Sequence, residues 1–342
     1  MSTTAVTAPD AGRVRTFFSG GRMRELGILL ALILVILAAT AKNSNFLFSG
    51  DGWRDLLLTP APLLLVTIGQ AFVIITRNVD ISVGSIVGLT AYMTGWLFAT
   101  FPGIPIALVV VTAVLFGAFL GLVNGALVAF AKVPAMVITL GTLYAFRGIN
   151  VLWTGSNRIN PSDLPKPFLR FGTAQFLTIP LLTIVAIVVL LVAAWYLKNM
   201  RSGRELYAIG SDPEAANLYG LKTTRRVLTA FILSGTLSGL AGVFYAARYG
   251  TIDSQAATGW EFSAIGAAVI GGVAIVGGVG TVWGAAIGAV LLITINRALP
   301  ILGIADFWQQ AVVGVLIIGA IVLDRVLARR QKRRLIEARD DS

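Results

Sequence analysis

From Ile106 to Ala131 the chain runs without a charged residue, and it does so again from Leu177 to Leu197. Ala305 to Leu323 carries one. A helix rises 1.5 Å per residue, so roughly 20 such residues cross a ~30 Å hydrocarbon core. No other feature constrains the fold as strongly. In lipid every backbone amide must find its partner inside the protein, which leaves helices or closed barrels. Long apolar runs without alternation are helical. Only 13% of the 342 residues are charged, against about 25% in a soluble domain, so no large soluble domain accompanies the membrane part. The predicted fold class is an all-α integral membrane protein.

Ten spans are predicted, at about 25–42, 61–76, 81–101, 105–131, 134–152, 177–197, 225–247, 263–279, 281–297 and 305–324. Gly266 to Gly288 is so rich in glycine that its helices are expected to be broken or re-entrant, which is tolerated at membrane depth only inside protein or beside a wet cavity. Ala39-Thr40-Ala41 looks like a cleavage site, but the apolar run before it is long for a signal peptide and opens a polytopic chain, so retention is expected. The net charge of +11 is concentrated in two tails, 1–24 and 325–342, and in a loop at 198–226. With both termini cytoplasmic, nineteen of the 27 Lys and Arg lie inside, as positive-inside orientation requires. This distribution fits a multi-pass protein with its transmembrane core at 25–324, and not a nucleic-acid surface.

The sequence has no histidine and no cysteine. Thiolate chemistry, His-based triads and the usual zinc sites are thereby excluded. No Gly-Lys pair occurs anywhere, so the phosphate-cradling loop that ends in Gly-Lys-Ser/Thr is absent. No cofactor is expected on this chain. Gly117, Gly121 and Gly125 recur every fourth residue, as do the pairs Gly235/Gly239 and Gly284/Gly288. That spacing predicts close helix–helix packing.

Against this background "GSDPEAANLYGLKTTRR", Gly210 to Arg226, is polar and carries the punctuation of a short helix. Ser211 and Glu214 have capping-box spacing, while Asp212 before Pro213 offers the alternative cap. Gly220 fits a left-handed stop, with Lys222, Arg225 and Arg226 just beyond. Two helical turns are marginal alone in water and must lean on a neighbour. Orientation of the loop needs only charge; a capped helix bearing Ala215, Ala216, Leu218 and Tyr219 also suits a docking partner.

Glu214-Ala215-Ala216-Asn217-Leu218-Tyr219-Gly220 resembles the E-A-A-x-x-x-G signature of permeases of bacterial ATP-binding-cassette importers. "TRNVDISVGSIVGLTA" (Thr76–Ala91) is similar to a G-G-x-D-L-S-V-G-S segment of the ribose/xylose-type sugar permeases, with Arg77-Asn78 in place of the paired glycines. "ATGWEFSAIGAAVIGGVAIVGGVGTVWGAAIGAVLL" (Ala257–Leu292) is similar to their glycine-rich block. The Thr-Arg-Asn form and "RGINVLWTG" (Arg147–Gly155) look most like the autoinducer-2 and rhamnose subgroup. The resemblance covers about 55–325. It implies a permease in a bacterial cytoplasmic (inner) membrane, paired with a second copy or a similar chain. It also implies an extracytoplasmic binding protein and a separate ATPase that holds ATP and Mg. The ATPase would dock on Pro213, Glu214, Ala215, Ala216 and Gly220.

For the solute path the candidates are Asn78, Asp80, Ser82, Ser85, Asn124, Thr139 and Asn150, polar groups in or beside apolar spans. An intramembrane carboxylate is usually paired or functional. Asp80 could pair with Arg77, cap the helix that starts at Ser82–Ser85, or meet solute; capping needs the fewest assumptions. Gln70, Thr142 and Tyr144 join the neutral groups, which more often make interhelical hydrogen bonds. Trp153, Trp260 and Trp308 fit an interfacial belt. A branched-chain amino-acid permease and an ion-coupled transporter are the alternative functions; an enzyme lacks any visible nucleophile–base pair.

Overall fold

The computed structural model describes residues 20–322 apart from 132, 156, 306, 307, 317, 320 and 321. Most of both basic tails therefore lies outside the described residues. Eight described helices are long and apolar enough to cross a membrane. The chain begins with α1 (Gly20–Lys42), α2 (Asn45–Phe48), α3 (Gly50–Leu58) and α4 (Pro60–Ile75). Next come α5 (Val83–Thr100), α6 (Ile106–Ala131), α7 (Ala135–Thr154) and α8 (Lys166–Thr173). A hairpin of β1 (Gln175–Phe176) and β2 (Ile179–Pro180) precedes α9 (Leu181–Asn199). The remainder is α10 (Arg201–Ser211), α11 (Pro213–Leu218), α12 (Thr223–Tyr249), α13 (Trp260–Ile270) and α14 (Val282–Ile301).

The all-α membrane class holds, with four corrections to the predicted elements. The second span is longer, because α3 and α4 together carry one apolar run from Gly50 to Ile75. The sixth starts later, because the turn at Leu177-Thr178 and then Pro180 occupy its predicted first residues. The span predicted at 263–279 does not exist as such: α13 stops at Ile270, where Gly272, Gly277, Gly278 and Gly280 adopt positive φ. The loop at 198–226 holds two helices instead of one, since Leu206, Ile209 and Gly210 give α10 a buried face. The last predicted span falls partly outside the described residues, and 309–316 is helical.

The centre of the bundle is α4, buried at all 16 residues. Helix α12 packs on α4, α5 and α6, and α14 packs on α1, α4 and α13. The glycine spacing accounts for the closest contact. A Cβ on Gly117 would lie 2.7 Å from Gly239 Cα, and one on Gly235 would lie 2.7 Å from Gly121 Cα. Here α6 and α12 touch backbone to backbone, which lets dispersion replace the hydrophobic drive that lipid does not supply. Gly284 and Gly288 repeat the device against Gly271 and Ala267 of the neighbouring segment.

The two ends of the bundle differ in chemistry. At one, Arg248 Nη2 lies 3.0 Å from Asp55 Oδ1, and Arg297 Nη1 donates to the Gly52 carbonyl at 3.0 Å while its guanidinium covers Phe46. At the other stand α10 and α11. There Gly278 N donates to the Ile75 carbonyl at 2.9 Å, and Gly210 is so close to both that a Cβ would overlap them.

Candidate functional site

Two of the spans are interrupted, and their breaks lie side by side. Residues 76–82 lead into α5 through a non-helical stretch, and 250–259 lead into α13 in the same way. A Cβ on Gly84 would overlap Glu261 Oε2 and approach the Ala257 carbonyl to 2.9 Å; one on Gly88 would approach the Ala256 carbonyl to 2.6 Å. Glycine at these positions is what lets the second break lie against α5. Arg77 and Ala257 both sit in the left-handed region, at φ 66° and 56°. An L-residue with a Cβ occupies that region at a cost of about 1–2 kcal/mol, and a glycine would fit Arg77's backbone better.

The solute-path candidates gather around the first break. Asp80 is fully buried, and its Oδ1 accepts from Ser82 N at 2.9 Å and Ser82 Oγ at 2.7 Å. Asn124 Nδ2, from α6, donates to Ser82 Oγ at 2.6 Å and reaches Asp80 Oδ1 at 3.4 Å. Gln70, from α4, grips the Asp80 backbone, its Nε2 donating to the carbonyl. Thr139, from α7, donates to the Val79 carbonyl at 3.1 Å. Three helices, α4, α6 and α7, thus hold one non-helical turn, whose amides and carbonyls could not otherwise be satisfied at this depth. Asp80 Oδ2 and Asn124 Oδ1 are enclosed without a hydrogen-bond partner.

The remaining candidates stand apart from this knot. Ser85 bonds back to the Ser82 carbonyl at 2.7 Å, and Asn78 to the Thr76 carbonyl at 2.9 Å. Asn150 belongs to the second break, donating to the Ser254 carbonyl at 3.3 Å. Asp80 does not pair with Arg77, whose side chain is exposed. Asp80 instead bonds locally to Ser82, the residue before α5, in an Asx-type turn, while α5 itself carries no side-chain cap.

Two charged residues of the second break were not singled out from the sequence. Glu261 is buried in the first turn of α13, accepting from Gly259 N at 3.2 Å. Arg147, half-buried on α7, donates to the Ala256 carbonyl at 3.0 Å. The signal was present, since a carboxylate inside the apolar "WEFSAIGAAVI" is as exceptional as Asp80.

Beyond α10, which meets the Ile75 end of α4 from which the first break leaves, the predicted docking helix is formed as α11. Asp212, not Ser211, is the cap: its Oδ1 accepts from Glu214 N and Ala215 N, each at 3.0 Å, and Pro213 takes the first helical position. Ser211 instead ends α10. Leu221 N donates to the Ala216 carbonyl and Gly220 N to the Asn217 carbonyl, each at 3.0 Å, with Gly220 at φ 76°. This is a Schellman stop. Of the five docking candidates, Ala216 is buried, Pro213 and Ala215 are half-buried, and Glu214 and Gly220 are exposed. The apolar groups that protrude are Leu218 and Tyr219, 89% and 86% exposed.

Helix α10 fastens α11 to the bundle. Glu205, buried on α10, receives Arg201 Nε at 2.8 Å and Arg226 Nε at 2.5 Å. The Arg226 hydrogen bond chiefly holds the Glu205 carboxyl below the usual glutamate value. Tyr207 donates to the Gly280 carbonyl at 3.0 Å, and burial pushes its hydroxyl up to about 12. The same helix therefore touches α12, the glycine loop before α14 and the end of α4.

Residues 54–321 match the family described as branched-chain amino acid transport system / permease component. The chain belongs to this family. It is also 36% identical over 319 residues to the autoinducer 2 import system permease protein LsrC of Salmonella paratyphi B (strain ATCC BAA-1250 / SPB7), covering 92% of this chain and 91% of the relative. LsrC of Shigella flexneri is 35% identical and that of Escherichia coli O9:H4 (strain HS) 34%, each over 91% of this chain and 90% of the relative. No solved structure matches. A multi-pass permease is therefore what both the fold and the relatives support.

Proposed function

We propose that this chain forms the membrane passage of an ATP-binding-cassette importer in a bacterial cytoplasmic membrane. Its solute is a sugar-like molecule of the autoinducer-2 class, delivered by an extracytoplasmic binding protein. A second permease chain completes the passage, and a separate ATPase holding ATP and Mg supplies the work. The observation that carries the docking role is α11 itself: a six-residue helix, capped at both ends, whose exposed surface ends in Leu218 and Tyr219. Caps fix its shape, and α10 transmits its position to the Ile75 end of α4 and, through it, to the turn that Asp80 holds.

The family description favours an amino-acid solute as a second reading. A zwitterion would need both charges within reach, whereas Asp80 is enclosed and the Arg77 side chain is exposed. Co-expression with the ATPase tests the docking role. Leu218→Asp with Tyr219→Ala should abolish co-purification while leaving the size-exclusion profile of the permease unchanged. Uptake of autoinducer-2 into vesicles that contain the complete system should require internal ATP. Uptake driven by an ion gradient alone would overturn the proposal.

A further inference from the structure

A cavity of about 490 Å³ opens where the end of α9 meets α10 and the start of α14. Its wall includes Trp195, Lys198, Arg204, Tyr207, Thr281 and Trp283. We infer that it binds the phosphate headgroup of an anionic phospholipid from the leaflet on the α11 side.

The two charged residues that line this groove are both basic. Lys198 and Arg204 are exposed, and no Asp or Glu lines the cavity. Arg204 is anchored: its Nη1 donates to the Asn199 carbonyl at 2.9 Å and reaches the Lys198 carbonyl at 3.4 Å, which leaves the rest of its donor fork for another acceptor. Thr281 caps α14 by accepting from Gly284 N at 2.9 Å, so the positive end of that helix faces the groove as well. One carboxylate borders the groove: Glu25 of α1 accepts from the wall residue Thr281 through Oγ1 at 2.5 Å, which leaves Lys198 and Arg204 as the cations for an added anion. Tyr207 is already spent on the Gly280 carbonyl and forms wall rather than ligand.

The surroundings select a lipid over a soluble phosphate. The groove lies at the end of a membrane span, and Trp195 and Trp283, each about half exposed, are the residue type that marks the membrane–water boundary. Above it, Val188, Leu191 and Val192 leave an apolar track along α9 for acyl chains. Basic pockets between span ends are where anionic headgroups bind. A lipid held here would join α9 and α14 to α10, the helix that carries α11. The inference requires only that the chain lies in a membrane, and does not depend on which solute is moved.

Native mass spectrometry of the full-length protein, exchanged between phosphatidylglycerol and phosphatidylcholine, is the test. The unaltered protein should retain phosphatidylglycerol preferentially. Lys198→Gln and Arg204→Gln should each weaken that preference about fivefold, and Arg225→Gln, an exposed cation off the groove, should leave it intact. Brominated phosphatidylglycerol should also quench tryptophan fluorescence, less so in Trp195→Phe and in Lys198→Gln. Lys198 tops a span without bracing another element, so its variant folds even if that of Arg204 does not. Equal retention of both lipids, an unchanged preference in Lys198→Gln, or complete displacement of phosphatidylglycerol by inorganic phosphate would each overturn the inference, the last by assigning the groove to free phosphate.

Discussion

Helices α11 and α13 are both too short to cross a membrane, at six and eleven residues, and they persist for opposite reasons. Helix α11 lies at the surface and is specified by its ends: Asp212 closes the first turn, and Gly220 with Leu221 closes the last. Helix α13 has no side-chain cap and starts after a left-handed Gly259; it is held by burial against α4, α5 and α14. In water, capping replaces solvent at the orphan amides; in a lipid-facing bundle, packing and close backbone approach take over. A surface helix can therefore leave apolar side chains exposed, as α11 leaves Leu218 and Tyr219, whereas α13 spends its side chains on its own fold.

If that contrast is correct, mutations should separate the two helices. The largest effect is expected from Gly84→Val. The added methyls would meet the Ala257 carbonyl, which is backbone, and displace the buried Glu261 carboxylate, at a cost of about 3 kcal/mol. Loss of the monodisperse peak in fluorescence-detected size exclusion would register it, and a well-behaved variant would show that α13 is not fixed by this contact. Acidification should act on the other helix. Because Glu205 titrates below its ordinary 4.5, its clasp on Arg201 and Arg226 is complete above that value and is lost as the pH falls beneath it. Amide exchange in α10 and α11, corrected for intrinsic rates, should accelerate roughly tenfold between pH 6 and pH 3, and Glu205→Gln should remove the dependence.

A smaller change is expected from Asp212→Ala, which costs about 1 kcal/mol of local stability. Faster exchange confined to α11, with the global melting temperature unmoved, is the outcome that fits a helix made by its caps. The smallest effect tests the other interrupted span. Arg77→Gly relieves a left-handed backbone but adds glycine's chain entropy, for a net gain of roughly 0.5 kcal/mol, read as a slight rise in melting temperature.

The apolar runs made the membrane class and most span positions legible, because length and hydropathy act locally. The caps of α11 were legible for the same reason, down to the alternative between Ser211 and Asp212. What escaped was non-local. In "RSGRELYAIGS" the spacing of Leu206, Ile209 and Gly210 is a local sign of a one-sided helix, but that its buried face meets α4 and the glycine loop is not written locally. Glu261 was passed over because its pairing with Gly84 joins residues far apart in the chain. The candidate path residues stand out as polar outliers, yet which of them form one knot depends on α4, α6 and α7 meeting at the turn of Asp80.

The sequence by itself determined that this chain crosses a membrane repeatedly, that its core chemistry involves neither histidine nor cysteine, and that one short capped helix interrupts the apolar spans. Tertiary structure decided that Asp80 bonds to Ser82 and Asn124 instead of pairing with Arg77, that two broken spans lie against each other, and that Lys198 and Arg204 share a groove. The reason is range. Hydropathy and capping are written within a few residues, whereas a buried charge takes its role from whichever distant groups the fold places around it.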